Sequence, residues 1–283
     1  MAYKLIKMPM KDTYFDPNNG LLTRSKILDY LKSPEYFNRK HLLGQIPHED
    51  KDCFIIGGMV DSLLTKDPSE RSLQVARDEN GKAKRRMPKL VAEYAEQGIT
   101  LITETTETEI LELAVAVDNS AIWKFLMTHK CHWQSILEMP LPKNKHFKSI
   151  AGKPDVFYIE GDTCFLIDLK TTKTVDHTKY FYNALGYKYE WQMALYGKLI
   201  RHNFPKVKHV IYQHFAVEKS KDIHNVELFE FPKDMVEDCL PEIKKVIDTI
   251  IADKEFKKYD PKWNKPVMLG QGKVMTEEEF EEE

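Results

Sequence analysis

Residues 151–174, AGKPDVFYIEGDTCFLIDLKTTKT, have the composition of a β-hairpin. Two β-prone runs flank Gly161, which can adopt the positive φ that a tight hairpin turn needs. If Gly161 and Asp162 form a two-residue loop, the resulting register places Asp155 directly opposite Asp168. The spacing therefore predicts two aspartates that face each other, with Cβ atoms roughly 4.5–5.5 Å apart.

A lysine accompanies this pair of aspartates. Lys170 lies two residues after Asp168, so its side chain points to the same face of the sheet. Two like charges directly opposed destabilise a hairpin, and a divalent cation bound between them would remove that penalty. The alternative is a solvated strand face, because Asp-x-Lys is a common tripeptide. The spacing alone leaves both interpretations open.

The overall composition is that of an ordinary globular protein. The 283 residues are 42% hydrophobic and 30% charged, with a formal net charge of −2, and can bury a substantial core. A nucleic-acid partner would therefore need a local basic surface. The densest candidate is the segment 78–89, which holds five basic residues from Lys82 to Lys89 and can equally be a solvated charge run.

The sequence carries no membrane or secretion signal that we recognise. No apolar stretch approaches the roughly 20 residues of a membrane span, and the N-terminus lacks the pattern of a signal peptide. Four scattered cysteines (Cys53, Cys131, Cys164 and Cys239) form no C-x-x-C pair, which argues against zinc and iron–sulfur sites. We expect a cytoplasmic protein with reduced thiols and no membrane partner.

Hydrophobic periodicity predicts an α/β or α+β pattern with a mixed sheet. Helices are predicted over 24–43 (with Ser25 as cap and a break at Ser33-Pro34), from 54 to before Pro68, and over 106–129, 180–202 and 233–257. Strands are predicted over 135–141, the two hairpin arms, 207–218 and 225–232. The closing TEEEFEEE is predicted to be disordered, because its six glutamates repel one another.

The helix over 180–202 follows the hairpin and carries a polar stripe. Lys188, Gln192 and Tyr196 have i, i+4, i+8 spacing and should share a face near the hairpin carboxylates. The helix is also rich in aromatic residues that could stack on unpaired bases, although most of them are expected in the core. These are Tyr180, Phe181, Tyr182, Tyr187, Tyr189 and Trp191, interleaved with Lys179 and Lys188.

Taken in order, three short motifs resemble the PD-(D/E)XK nuclease superfamily. They are Gly152-x-x-Asp155, then Asp168-x-Lys170-Thr171-Thr172, then Gln192-x-x-x-Tyr196. The resemblance is closest to the branch of exodeoxyribonuclease VIII, lambda exonuclease and the RecB-type nuclease domains, and it covers roughly residues 25–232. It implies a restriction-endonuclease-like core, a central mixed sheet flanked by helices, with an N-terminal helical part. We divide the chain accordingly into 1–105, a nuclease core at 106–258, and a C-terminal segment at 259–283.

The resemblance also implies metal-assisted phosphodiester hydrolysis. Asp155 and Asp168, with the Leu169 carbonyl, would hold one or two Mg²⁺ ions, for which Mn²⁺ can substitute. Lys170 would orient or help to deprotonate the attacking water and stabilise the transition state. Gln192, Tyr196 and Lys188 would position the substrate strand. No iron–sulfur cluster is expected.

The sequence departs from the family pattern at two positions. Asp61 stands where this branch commonly has a metal-binding histidine, and an aspartate is a competent Mg²⁺ ligand. Gln134 aligns with a glutamate of related exonucleases, and Glu138 would share its strand face and could replace it as a weak ligand. Gly57 and Gly58 would let the helix that carries Asp61 approach the sheet.

The leading hypothesis is a Mg²⁺-dependent DNA exonuclease of phage or mobile-element origin that prepares DNA ends for recombination. It would act in the host cytosol, on DNA, beside a single-strand annealing or recombination protein, and a homo-oligomer is compatible with the family. One alternative is a structure-specific or single-strand endonuclease with the same site. Another is a catalytically silent nucleic-acid-binding protein, against which the intact Asp155, Asp168 and Lys170 argue.

Overall fold

A computed structural model of the chain describes residues 14, 19–46, 52–65, 73–75, 100–220 and 223–256. Two predictions lie outside these residues, namely the basic segment 78–89 and the C-terminal segment 259–283. Within the described part of the chain, no helix is long and apolar enough to cross a membrane.

Helices predominate in the first half of the described chain, whereas the second half contains helices together with the longer strands. The first half contains β1 (Leu21–Leu22), α1 (Arg24–Lys32), α2 (Pro34–Phe37), one π-helical turn (Asn38–Leu42), α3 (Asp52–Thr65), β2 (Leu73–Val75), β3 (Thr100–Ile102), α4 (Glu104–Asn119) and α5 (Ala121–Thr128). The second half contains β4 (His132–Trp133), β5 (Leu137–Pro140), β6 (Ser149–Gly152), β7 (Val156–Glu160), β8 (Thr163–Thr172), α6 (His177–Gly186), α7 (Tyr189–Asn203), β9 (His209–Glu218), β10 (Val226–Phe231), α8 (Lys233–Glu237) and α9 (Leu240–Ala252).

The main sheet has five strands in the order β10-β9-β8-β7-β4. The pair β8–β9 is parallel and the other pairs are antiparallel, so the prediction of a mixed sheet is confirmed. The strand predicted at 135–141 does not lead directly into this sheet. It forms β5 of a separate three-stranded sheet, β1-β6-β5, because the chain turns away after β4 at Gln134, whose φ is +46°.

The predicted hairpin register is confirmed. β7 pairs with β8 from Val156 opposite Ile167 to Glu160 opposite Thr163, and Gly161 has a φ of +62° at the turn. A type of loop that needs positive φ favours glycine at this position. The register extends by one residue to Asp155, which precedes β7, opposite Asp168 within β8.

Hydroxyl side chains set several helix boundaries. Thr23, rather than the predicted Ser25, caps α1, because its side chain accepts a hydrogen bond from the Lys26 N–H. Ser33 ends α1 and caps α2, which confirms the predicted break. Ser120 caps α5 in the same way and divides the helix predicted at 106–129 into two.

Two hydrophobic clusters lie on the two faces of the main sheet, since successive strand residues point to opposite sides. On one face Leu166 and Tyr212 pack with α7 residues such as Met193. On the other face Ile167 packs with residues of α3, α4 and α5, such as Leu113. The first cluster also contains Ile27 of α1, so the N-terminal helix packs in the same core as α7. The sheet is therefore covered by helices on both sides.

Candidate active site

Two carboxylates meet where β7 begins, beside the middle of β8. Asp155 accepts hydrogen bonds from the Leu169 backbone N–H (2.8 Å) and from the Gln134 amide (2.9 Å). Asp168 is only 1% exposed, and it accepts hydrogen bonds from the Lys170 ammonium and from Gln192 Nε2 (3.1 Å). The hairpin therefore brings together the aspartates and the lysine that the sequence singled out.

Burial and neighbouring charges shift the pKa values of Asp155 and Lys170. Burial raises the pKa of Asp155 well above its usual range, and the neighbouring carboxylates of Asp168 and Asp61 raise it further. Burial alone would lower the pKa of Lys170, but Asp168 and Asp155 raise it above its ordinary value. Lys170 is therefore protonated in the metal-free site, where its ammonium lies beside the carboxylates of Asp168 and Asp155.

Gln134 connects Asp61 to the carboxylate pair. Its Nε2 donates to Asp61 Oδ1 (3.0 Å) as well as to Asp155 Oδ1, and its backbone N–H donates to the Asp155 carbonyl (2.9 Å). A left-handed backbone at a non-glycine residue costs of order 1 kcal/mol, and here it directs an amide between two acids. The structure thus brings Asp61 to the site, as the resemblance implied.

Only one of the two glycines before Asp61 explains how α3 approaches the sheet. A Cβ at Gly57 would lie 3.2 Å from Thr171 Oγ1 of β8, whereas a Cβ at Gly58 would meet open space. The predicted close approach therefore holds for Gly57 and is wrong for Gly58.

Gln192 and Tyr196 of α7 form a second hydrogen-bonded line to the site. Gln192 Nε2 donates to Asp168 and to the Tyr196 hydroxyl (3.1 Å), and that hydroxyl donates to the Lys153 carbonyl (3.2 Å). The Tyr196 ring fits because residue 152 is glycine, where a Cβ would lie 2.7 Å from the ring. Both side chains therefore orient Asp168 and the chain before Asp155.

The prediction that Lys188 shares a helix face with Gln192 and Tyr196 is wrong. The helix predicted over 180–202 is broken, α7 begins only at Tyr189, and Lys188 has left-handed dihedral angles (φ +52°, ψ +47°). Its Nζ lies over the Trp191 ring, 4.6 Å from the centroid. Its role in substrate binding stays a prediction.

The prediction that Gln134 and Glu138 share one strand face is also wrong. The strand ends at Trp133, and Glu138 lies in β5 of the other sheet, where its Oε2 accepts a hydrogen bond from Ser149 (2.5 Å). Asp61 and Asp168, rather than Glu138, are the carboxylates that perturb Asp155.

Sequence reasoning missed two residues beside the site, Arg24 and His214, and named a third, Tyr189, only among the aromatic residues of the predicted helix. Arg24, the first residue of α1, donates through Nη2 to the Tyr187 and Lys188 carbonyls. Tyr189 lies between this guanidinium (5.8 Å from the ring centroid) and the Lys170 ammonium (4.9 Å). Arg24 has no sequence signal, because its partners lie 163 and 164 residues away.

His214 is the second missed residue. It is Asp168's partner in the parallel β8–β9 register, and its Nδ1 lies 2.8 Å from the Tyr180 hydroxyl, while its buried Nε2 has no hydrogen-bond partner. Burial, Lys170 and Arg24 hold the pKa of His214 well below its ordinary value, so the imidazole is neutral. A parallel register between distant strands cannot be inferred from sequence spacing.

The donor set suits a hard divalent cation. Asp155, Asp168 and the Leu169 carbonyl offer oxygen ligands, which such cations prefer, and Asp61 adds a third carboxylate. Among the described residues, no three His, Cys, Asp or Glu side chains already form a metal-binding cluster. Amide and ammonium donors hold the carboxylate oxygens instead, and burial together with the carboxylates of Asp168 and Asp61 raises the pKa of Asp155.

Most of the chain is similar to known proteins. Residues 24–262 match the family model described as a PDDEXK-like domain of unknown function (DUF3799). The crystal structure of a Eubacterium rectale protein named "Putative exonuclease" is similar over 87% of this chain and 85% of that chain, with 15% identity and a TM-score of 0.58. The crystal structure of SSO0001 aligns over 70% of this chain and 84% of that chain, but its 13% identity and TM-score of 0.31 carry no argument. No curated protein matches the chain.

The similarity to the Eubacterium rectale structure shows a shared fold, and the predicted restriction-endonuclease-like architecture is confirmed. The family model covers most of the chain, including every residue of the Asp155, Asp168 and Lys170 site. The chain therefore belongs to the PDDEXK-like family DUF3799, within the PD-(D/E)XK nuclease superfamily.

Proposed function

We propose that the protein is a divalent-metal-dependent deoxyribonuclease that hydrolyses phosphodiester bonds, and that it acts as an exonuclease. The observation that carries the proposal is the opposed pair Asp155 and Asp168 with the Lys170 ammonium on the same sheet face. Membership of a PDDEXK-like family and the fold shared with a protein named as an exonuclease support a nuclease. End processing for recombination is the role that we assign to it.

Asp155, Asp168 and the Leu169 carbonyl would hold Mg²⁺ or Mn²⁺, with Asp61 as a further ligand. When bound, the metal supplies Lewis-acid stabilisation of the phosphate and a water of lowered pKa. In this site Lys170 acts as a fixed cation. It would stabilise charge on the phosphate and orient the attacking water.

Gln192 and Tyr196 support the proposal as positioning residues. Gln192 fixes one oxygen of Asp168, so the other can face the lysine and the metal. Tyr196 holds the chain just before Asp155. A carboxylate ligand that is itself hydrogen-bonded binds metal in a more defined geometry.

The test is a time course of cleavage with end-labelled linear, nicked and closed circular DNA, in Mg²⁺, in Mn²⁺ and in EDTA. An exonuclease degrades the linear substrate progressively and spares the closed circle, whereas an endonuclease with the same site cuts the circle. Lys170→Ala should be inactive, and Lys208→Ala, at an exposed lysine paired with Asp162 at the hairpin turn, is the matched control. A chain that cleaves none of these substrates in either metal contradicts the proposal.

A further inference from the structure

Four large apolar side chains lie exposed within seven residues at the end of α6. Phe181, Tyr182, Leu185 and Tyr187 are 46%, 66%, 38% and 63% exposed. Side chains of this size are normally buried, and a contiguous exposed apolar patch marks an interaction site. The segment 177–189 also contains two lysines and no acidic residue.

The last of these apolar residues, Tyr187, lies next to the candidate active site. The Tyr187 ring stacks on the Tyr189 ring, with centroids 5.5 Å apart and planes at 28°. The Tyr189 ring in turn lies 4.9 Å from the Lys170 ammonium. An exposed aromatic face is thus separated from the lysine of the site by a single tyrosine.

The turn that presents Tyr187 is fixed rather than loose. Lys188 adopts a left-handed conformation that a lysine occupies only at an energetic penalty, and this breaks what would otherwise be one continuous helix. The Arg24 guanidinium donates to the carbonyls on both sides of the break. A strained conformation that is held by hydrogen bonds from a distant helix indicates that the fold specifies the position of Tyr187.

We infer that Tyr187 is a stacking platform for an unpaired nucleobase of the strand that the site cleaves. The inference rests on the proposed nuclease function and names its substrate class, which is DNA with unpaired nucleotides next to the scissile phosphate. Bases in the interior of a duplex are stacked on both faces, so the ring can hold an unpaired base but not an interior base of paired DNA. The occupant follows from the phosphodiester that the proposed site cleaves, because only the Tyr189 ring lies between Tyr187 and the Lys170 ammonium.

Binding to single-stranded DNA that carries 2-aminopurine tests the inference, because the fluorescence of this base is quenched when it stacks. Titrations are made in Ca²⁺ under conditions where no product forms, with the fluorescent base moved stepwise from the strand end. Tyr187→Leu removes the ring but keeps apolar bulk, and Tyr187→Phe keeps the ring. Phe125→Leu, at a 41% exposed ring that packs on Tyr158 of β7, is the matched control.

We expect Tyr187→Leu to bind the single strand about 5- to 100-fold more weakly and to lose quenching at one position, with Tyr187→Phe and Phe125→Leu near wild type. An abasic residue at that position should make wild type and Tyr187→Leu bind equally. Equal quenching in all variants overturns the platform, and so does a Tyr187→Leu defect that appears equally with fully paired DNA. A change in oligomeric state with unchanged quenching overturns it too, in favour of an interface between copies.

The platform and the proposed function fail differently. If wild-type protein cleaves DNA but quenching does not depend on Tyr187, only the platform is wrong. If no metal supports cleavage by the wild type, the proposed function is wrong whatever the binding results.

Discussion

Asp29 and Asp155 are two aspartates whose neighbours shift the pKa of the carboxyl in opposite directions. Burial would raise the pKa of both carboxyls. Asp29, in α1, accepts hydrogen bonds from His41, Lys40 and Lys32 at 2.9–3.1 Å, and these donors lower its pKa well below the ordinary value. Asp155 instead has Asp168 and Asp61 as neighbours, and its pKa is raised further.

The difference separates a structural aspartate from a candidate metal ligand. The donors around Asp29 join α1 to the π-helical turn, and that cluster is a structural connection. In the described part of the chain, the neighbours of Asp155 include two further carboxylates, Asp168 and Asp61, and the Lys170 ammonium, and a divalent cation would join this set.

The largest expected effect is on cleavage. Asp168→Asn and Lys170→Ala should each lower the rate by at least about 10²–10³-fold, because each removes a charge that acts on the reacting phosphate or its metal. Rates are measured on end-labelled linear DNA at saturating Mg²⁺. Asp29→Asn serves as the control and should retain its rate per folded molecule. Near-wild-type rates for Asp168→Asn would place the site elsewhere.

The second effect concerns Asp61. Asp61→Ala should raise the Mg²⁺ concentration for half-maximal cleavage by about 10–100-fold, with recovery at high metal, because a ligand or the partner of Gln134 is lost. Asp61→His should retain more activity than Asp61→Ala and should favour Mn²⁺, which accepts imidazole more readily. Gln134→Ala separates the two roles, since it leaves the Asp61 carboxylate in place. A metal titration of Asp61→Ala that superimposes on wild type excludes a role for Asp61.

The third effect is on stability, to which Asp29 should contribute more than Asp155. Asp29→Asn should lower the free energy of unfolding by about 2–3 kcal/mol, because it leaves partly buried cations without their partner. Asp155→Asn in EDTA should cost little or stabilise the metal-free protein, because it relieves repulsion from Asp168 and Asp61. Urea unfolding at pH 7 in EDTA measures both. A larger loss for Asp155→Asn than for Asp29→Asn would make the carboxylate pair a structural element.

The smallest effect is the pH dependence of that contrast in EDTA, on the order of 1 kcal/mol. The folded pKa of Asp29 is lowered, so its contribution is present above the ordinary value of 3.8 and is lost as the pH falls. The folded pKa of Asp155 is raised, so wild type is relatively stable near pH 4 and loses stability as the pH rises through that raised pKa. The advantage of Asp155→Asn over wild type should therefore grow from pH 4 to 8. An advantage that shrinks over this range would contradict the assigned shift.

Local chemistry explains what could be predicted from the sequence. The hairpin register follows from one glycine turn between two short β-prone runs, so the opposition of Asp155 and Asp168 was accessible. The Ser33-Pro34 break and the strands β9 and β10 were accessible for the same reason, because each depends on neighbouring residues.

What could not be predicted depends on distant partners. The break at Lys188 opposes the local helical pattern and is held by Arg24, more than 160 residues away. The left-handed backbone of Gln134, which separates two sheets, is held by bonds to Asp155 and Asp61. Neither residue is of a type that signals such a conformation, so periodicity assigned Lys188 to a helix and placed Gln134 and Glu138 on one strand face.

The clamp of Arg24 on the Tyr187–Lys188 turn also sets the timing of maturation on the ribosome. At about 5–20 residues per second, roughly 10–30 s separate the synthesis of Arg24 from that of its carbonyl partners. Pairing of strand β1 is delayed in the same way, because Leu21 pairs with Ser149, which is synthesised much later. A nascent chain that stalls before Tyr187 therefore has the residues of the Asp155–Asp168 hairpin but lacks the carbonyl partners of Arg24. Assembly of the site is thereby deferred until translation is well advanced.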